Sequence, residues 1–186
     1  MALKIIICGD SLVGKTTLRK KFFGPAGYIN PYKIGYEFSF KDIVWEKGPL
    51  AGQKVKILAW EMSSEKQFIS VRPYVYLKTN AALLVYDITN PQSFENLTKW
   101  IKEIITTSGN LPMVVIANKI DLKGVNQNSV PSSMGNDFAK KISDEYLKNT
   151  YKVPFVETSA KNGVVIPSKP IILPSNLNPE LFYAIF

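Results

Sequence analysis

The chain has 186 residues, with 23 Lys+Arg against 15 Asp+Glu for a formal charge of +8, no histidine and a single cysteine, Cys8. That length allows one domain, residues 1–186, with an apolar core large enough to fold without staples. The missing histidines and lone cysteine exclude an internal disulfide, a CxxC centre, His/Cys zinc sites and imidazole-based triads.

Short β-branched runs alternate with stretches of helical period, which predicts βαβ units around a mostly parallel sheet. In chain order the strands fall at residues 4–8, 38–45, 54–60, 82–87, 113–118 and 154–157, and the helices at 15–23, 66–78, 93–107 and 133–149. The eight residues from Glu46 to Gln53 are too few for a crossover helix, so the second and third strands form an antiparallel hairpin. The product is a three-layer α/β domain on a six-stranded mixed sheet. Residues 163–174 carry three prolines and read as an ordered loop, and Asn178-Pro179 then opens a short last helix, cut off at Phe186.

The longest apolar runs, such as Ile5 to Cys8 and Ala81 to Tyr86, are far shorter than the roughly 20 residues a bilayer span needs. Position 2 is Ala where myristoylation needs Gly, and no cysteine stands near the end for prenylation. The expectation is a cytoplasmic chain without its own membrane anchor, reaching membranes through partners.

The first strand runs into Gly9-Asp10-Ser11-Leu12-Val13-Gly14-Lys15-Thr16, a complete GxxxxGK[ST] followed by helix formers. In such a loop successive N–H groups and the positive end of the next helix converge on a polyphosphate. Lys15 then reaches the β/γ-phosphates and the Thr16 hydroxyl serves Mg²⁺. Asn118-Lys119-Ile120-Asp121 follows another buried strand. A carboxylate at Asp121 accepts from both guanine N1–H and its exocyclic amine, a pair that adenine does not offer. Lys119 would lay its methylenes along the base, and Asn118 would tie this loop to the phosphate loop.

With these motifs the chain resembles the Ras superfamily of small GTPases, and the Rab-like branch most closely. Glu157-Thr158-Ser159-Ala160-Lys161 is similar to that family's fifth signature, at the guanine O6, and the run from Leu84 to Leu97 is similar to the Rab-type fourth strand and third helix. The resemblance implies a P-loop G domain with about five helices around the six-stranded, mostly parallel sheet, and a guanine-nucleotide switch with GTP/GDP and Mg²⁺. It assigns nucleotide binding to Ser11, Leu12, Val13, Gly14, Lys15, Thr16, Thr17, Tyr28, Asn118, Lys119, Asp121, Ser159, Ala160 and Lys161. Thr16 and Glu61 are the implied metal residues.

The sequence departs from the family where the γ-phosphate is sensed. The threonine that closes over Mg²⁺ is replaced by Lys33 in Lys33-Ile34-Gly35, and a lysine offers no oxygen to a metal. Its ammonium either approaches the γ-phosphate or points into water. The second switch, Trp-Asp-Thr-Ala-Gly-Gln-Glu in the family, reads Trp60-Glu61-Met62-Ser63-Ser64-Glu65-Lys66. Ser64 keeps the N–H that meets the γ-phosphate but restricts the backbone, and Glu65 stands where a glutamine orients the attacking water. Lys15, Lys33, Ser64 and Glu65 are therefore the catalytic candidates. Two functions remain: a GTPase that cycles with slow or impaired hydrolysis, or a nucleotide-bound interaction module with little hydrolysis. Either binds effector or regulator proteins through its switch loops, as a monomer. Apart from Arg19-Lys20-Lys21 there is no basic stripe, so nucleic acid is not a partner.

Overall fold

The structure, a computed structural model, describes residues 2–25, 34–44, 52–125, 128–150 and 152–167. Seven strands form one sheet: β1 (Ala2–Cys8), β2 (Tyr36–Val44), β3 (Lys54–Met62), β4 (Ala81–Asp87), β5 (Met113–Asn118), β6 (Phe155–Ser159) and β7 (Val164–Pro167). Their spatial order is β2-β3-β1-β4-β5-β6-β7. The five strands from β3 to β6 run parallel, with Ile5 of β1 opposite Ala59 of β3 and Ala81 of β4. β2 and β7 close the edges antiparallel to their neighbours.

The central strands are apolar without alternation because both faces are covered: every residue of β4 and of β5 is buried. Alternate side chains feed two cores. On one face Ile6, Leu84, Tyr86 and Val115 meet Trp100, Ile101 and Ile104 of α4 (Leu97–Ser108), Tyr76 of α2 (Arg72–Tyr76) and Ala139 of α5 (Ser132–Lys141). On the other, Ile5, Ile7, Leu83 and Ile116 join Leu18 and Phe23 of α1 (Lys15–Phe23). The remaining helix, α3 (Pro91–Glu95), is capped by Asn90, whose side chain accepts from the Ser93 N–H.

Several sequence expectations are corrected. The sheet has seven strands rather than six, because Val164-Val165-Ile166-Pro167 pairs with β6 after a turn at Gly163, φ 70°. Its proline fits because the strand lies at an edge, where a missing N–H breaks no inner ladder. The helix expected over 66–78 is a 3-10 turn, Lys66–Phe68, followed by α2, since Pro73 is accommodated only in a helix's first turn. The one expected over 93–107 starts at Pro91 and divides at Asn96 into α3 and α4. The one expected over 133–149 turns π-helical at Ile142–Tyr146. The short last helix expected after Asn178 lies outside the described residues. Among the described residues no helix is long and apolar enough to cross a membrane.

Candidate functional site

The loops after β1, β3 and β5 leave the sheet at the carboxyl ends of parallel strands, the position where open α/β sheets bind ligands. Gly9 and Gly14 hold the first loop in backbone conformations, φ 147° and 97°, that a side chain would block: a Cβ on Gly9 would strike the Val85 carbonyl, and one on Gly14 the Asn118 amide. Leu12 also adopts a left-handed φ of 63° and is 86% exposed at the loop's tip. Val13 points inward to the core, so only its backbone serves the site.

α1 starts directly from this loop, with Gly14 at its cap and no side chain capping its first N–H groups. Lys15, only 6% exposed, sends its ammonium back over the loop to the carbonyls of Gly9, 2.8 Å, and Asp10, 2.6 Å. Burial holds this lysine below its ordinary pKa, opposed by the nearby Glu61 carboxylate. An ammonium has three donors, and among the described residues two are taken. Thr16 Oγ1 donates to Glu61 Oε1, bringing the two predicted metal residues into contact.

The Asn118-Lys119-Ile120-Asp121 loop is built around Asn118. Its Nδ2 donates to the Val13 carbonyl at 2.8 Å, while its Oδ1 accepts from Thr158 Oγ1 at 3.0 Å and the Ala160 N–H at 3.1 Å. One side chain thus joins the three loops that follow β1, β5 and β6. Lys119 is left-handed, φ 67°, and its ammonium pairs with Asp87 Oδ2 at 2.6 Å. Ser159 Oγ donates to Asp121 Oδ1 at 2.6 Å and fixes that carboxylate.

Two cavities result. The larger, about 1140 Å³, is walled by the first loop and α1, including Ser11, Leu12, Lys15 and Thr16, and by Glu61, Ser64 and Glu65 opposite. The smaller, about 340 Å³, is lined by Asn118, Lys119, Asp121, Leu122, Ala160 and Lys161. Gly14, Thr17 and Lys119 border both, so the two adjoin. The first offers a buried cation, helix N–H groups without a side-chain cap and a hydroxyl; the second offers the Asp121 carboxylate in its lining. Tyr28 and Lys33 lie outside the described residues.

Of the other residues at the site, Asp10 has no role assigned from sequence, while Arg72 reads from sequence as either a surface charge or a partner contact and is buried in the fold. Asp10 is held by Asn96 Nδ2 at 2.6 Å and by Trp100 Nε1 at 3.0 Å, fastening the first loop to α4. The Arg72 guanidinium lies 4.4 Å from the Trp100 ring centre, donates to the Ser63 carbonyl at 3.1 Å and pairs with Glu103 at 3.0 Å. Arg19, read from sequence as part of a basic run, is completely buried. The signal for Arg19 was its place four residues after Lys15, on the same face of α1 as the lysine of the glycine motif.

This sheet order, with a glycine loop after β1 and a carboxylate loop after β5 at the same edge of the sheet, defines a P-loop G domain. The profile of the Ras family matches residues 4–169. The chain is 32% identical to the Ras-related protein Rab-26 of Rattus norvegicus over 165 residues, covering 88% of this chain and 59% of that protein. It is also 32% identical to the Ras-related protein Rab7 of Pisum sativum over 169 residues, covering 87% of this chain and 75% of that protein. The chain belongs to the Ras family, and its similarity to Rab proteins puts it with the Rab-like small GTPases. It spans about three fifths of the length of the Rab-26 relative. Proteins of this family in general bind GTP or GDP with Mg²⁺.

Proposed function

We propose that this chain binds GTP or GDP across the two adjoining cavities, with Mg²⁺, and acts as a GTP/GDP switch with slow hydrolysis. The observation that carries this reading is the junction of the cavities: Lys15 lines one, Asp121 the other, and Lys119 stands between them. The span suits a ligand with a polyphosphate at one end and a base at the other. In this reading the Lys15 ammonium and the backbone from Ser11 to Thr17 take the phosphates. Asp121, held by Ser159, accepts from guanine N1–H and the amine, beside Lys119, Ala160 and Lys161. Tyr28, which the resemblance assigns to the nucleotide, and Lys33, whose ammonium either approaches the γ-phosphate or points into water, lie outside the described residues.

The fit to a metal follows from the donors. Mg²⁺ is commonly held by one or two carboxylates together with substrate phosphates and water. Thr16 and Glu61 touch each other at the cavity wall, and a hydroxyl that donates to a carboxylate keeps lone pairs for a cation. When bound, the metal would supply positive charge against the β- and γ-phosphates. Ser64 offers its N–H to the γ-phosphate, and Glu65 orients a water while adding negative charge next to a developing anion, which is the reason for slow turnover.

The second reading, an interaction module that keeps its nucleotide, is favoured by Glu65 itself. Its carboxylate accepts from Gln67 Nε2 at 2.8 Å, which takes up part of the acceptor capacity that a water would use. In both readings the protein is a monomer whose partners, effectors or regulators, meet the segments around Gly35 and Ser63–Phe68.

Single-turnover assay of GTP-loaded protein with Mg²⁺, next to a Glu65→Gln variant, separates the two. GTP converted to GDP over hours, faster in the variant, supports the switch; GTP that persists supports the module. Base selection is tested separately: Asp121→Asn lowers guanine-nucleotide affinity by about a hundredfold or more, because the wrong pairing leaves buried polar groups unmet. Unchanged GTP binding in that variant overturns the guanine assignment.

A further inference from the structure

Arg19 has the largest side chain that is wholly buried in the described protein. It sits on α1 one turn beyond Thr16 and spends its guanidinium on three groups. Nε donates to Glu61 Oε2 at 2.8 Å, Nη1 to Ser39 Oγ at 2.7 Å, and Nη2 to the Glu37 carboxylate. Ser39 Oγ in turn lies 3.0 Å from the Gly24 carbonyl and 2.8 Å from that of Pro25, so the network is fixed at the other end of α1. Glu61 is thus held on both oxygens, by the Thr16 hydroxyl and by the Arg19 guanidinium.

A carboxylate 12% exposed and set in the cavity wall would repel a polyphosphate unless a cation neutralised it. A divalent metal can do that, but only while it stays bound. Arg19 supplies a permanent positive charge in contact with the same carboxylate, and its burial protects the pair from salt screening. We propose that Arg19 is a positioning residue that offsets the charge of Glu61 from within the fold, so that loss of Mg²⁺ exposes the phosphates but not an unpaired Glu61, and nucleotide retention depends less on the metal than it would without Arg19. The inference rests on the proposed nucleotide reading of the cavity and adds a determinant of its metal dependence.

The test follows release of a fluorescent N-methylanthraniloyl GDP from the whole chain after addition of excess GDP, in Mg²⁺ and in EDTA. Wild-type release accelerates on chelation by the share of the metal's charge that the phosphates use, because Glu61 keeps its cation. Arg19→Met leaves that carboxylate uncompensated and raises the EDTA-to-Mg²⁺ ratio by about tenfold or more. Arg19→Lys keeps a positive charge but loses the fork that reaches Ser39 and Glu37, so its ratio falls between those of wild type and Arg19→Met. Packing alone would alter both release rates together without moving their ratio. The proposal is overturned if Arg19→Met leaves the ratio unchanged or lowers it, or if Arg19→Lys raises it as far as Arg19→Met does. Should Arg19→Met fail to fold, Arg19→Gln, which keeps donors but no charge, takes its place with the same expected and overturning results. Absence of any binding in Mg²⁺ overturns the nucleotide reading and this proposal with it; binding with a ratio that the uncharged variant does not raise overturns only the role of Arg19.

Discussion

Cys8 ends β1 opposite Leu84, fully buried, and desolvation pushes its thiol up to about 12 against the opposing pull of Lys15. In the unfolded chain the thiol ionises near its ordinary value of about 8.5. Below that value both states hold the proton and Cys8 contributes no pH dependence. As pH rises from there towards about 12, the unfolded state releases its proton while the folded state keeps it, so stability falls across this window. The buried Tyr76 and Tyr86 hydroxyls, also raised by desolvation, push in the same direction at higher pH. Cys8→Ala therefore shows a shallower decline of its urea midpoint between about pH 8 and about pH 11 than wild type. Parallel declines would mean that the thiol ionises freely in the fold. At this scale the sequence was readable where function is written in contiguous residues: Lys15 and Asn118 were found because their motifs are local. Arg19 and Asp10 were not, since their meaning depends on Glu61, Glu37, Asn96 and Trp100, which only the fold brings to them.

Among the elements, α4 does two jobs. Leu97, Ile101 and Ile104 face the core, while Trp100, one side round, donates to Asp10 in the glycine loop and lies against Arg72. Arg72 continues the contact to the Ser63 carbonyl, so α4 touches the loops after both β1 and β3. Trp100→Phe keeps most of the apolar body but removes the donor to a part-buried carboxylate. It lowers stability by about 1.5–3 kcal/mol, measured by urea unfolding, and speeds nucleotide release by loosening the glycine loop. A variant with wild-type stability and release would mean that Asp10 is held adequately by Asn96 alone. Element types and order were legible from hydrophobic period, and the bounds of α1 and β5 match expectation because a Gly follows α1 and β5 is buried on both faces. The splits at Pro73 and Asn96 and the edge strand β7 were less legible. Proline and asparagine have positional meanings that depend on the neighbours they end up beside, and a four-residue edge strand carries too little pattern of its own.

For the molecule as a whole, the sheet with its two cores is separable from the site at its rim. Ile101 is fully buried under the centre of the sheet and touches neither cavity. Ile101→Ala costs about 2–5 kcal/mol of unfolding free energy while leaving nucleotide affinity near wild type under native conditions. A large loss of affinity without loss of stability would contradict that separation. The +8 charge is used in part inside the fold: Arg19, Arg72 and Lys119 all pair with carboxylates.

The position of β1 between β3 and β4 has a consequence for biosynthesis. β1 is made before either of the strands it pairs with, which begin at Lys54 and Ala81. Until Met62 has been made, Ile5-Ile6-Ile7 can take neither of its final neighbours, and until Asp87 it can take only β3. That apolar run thus waits for its partners for several seconds at cellular elongation rates, a window in which a holding chaperone has something to grip.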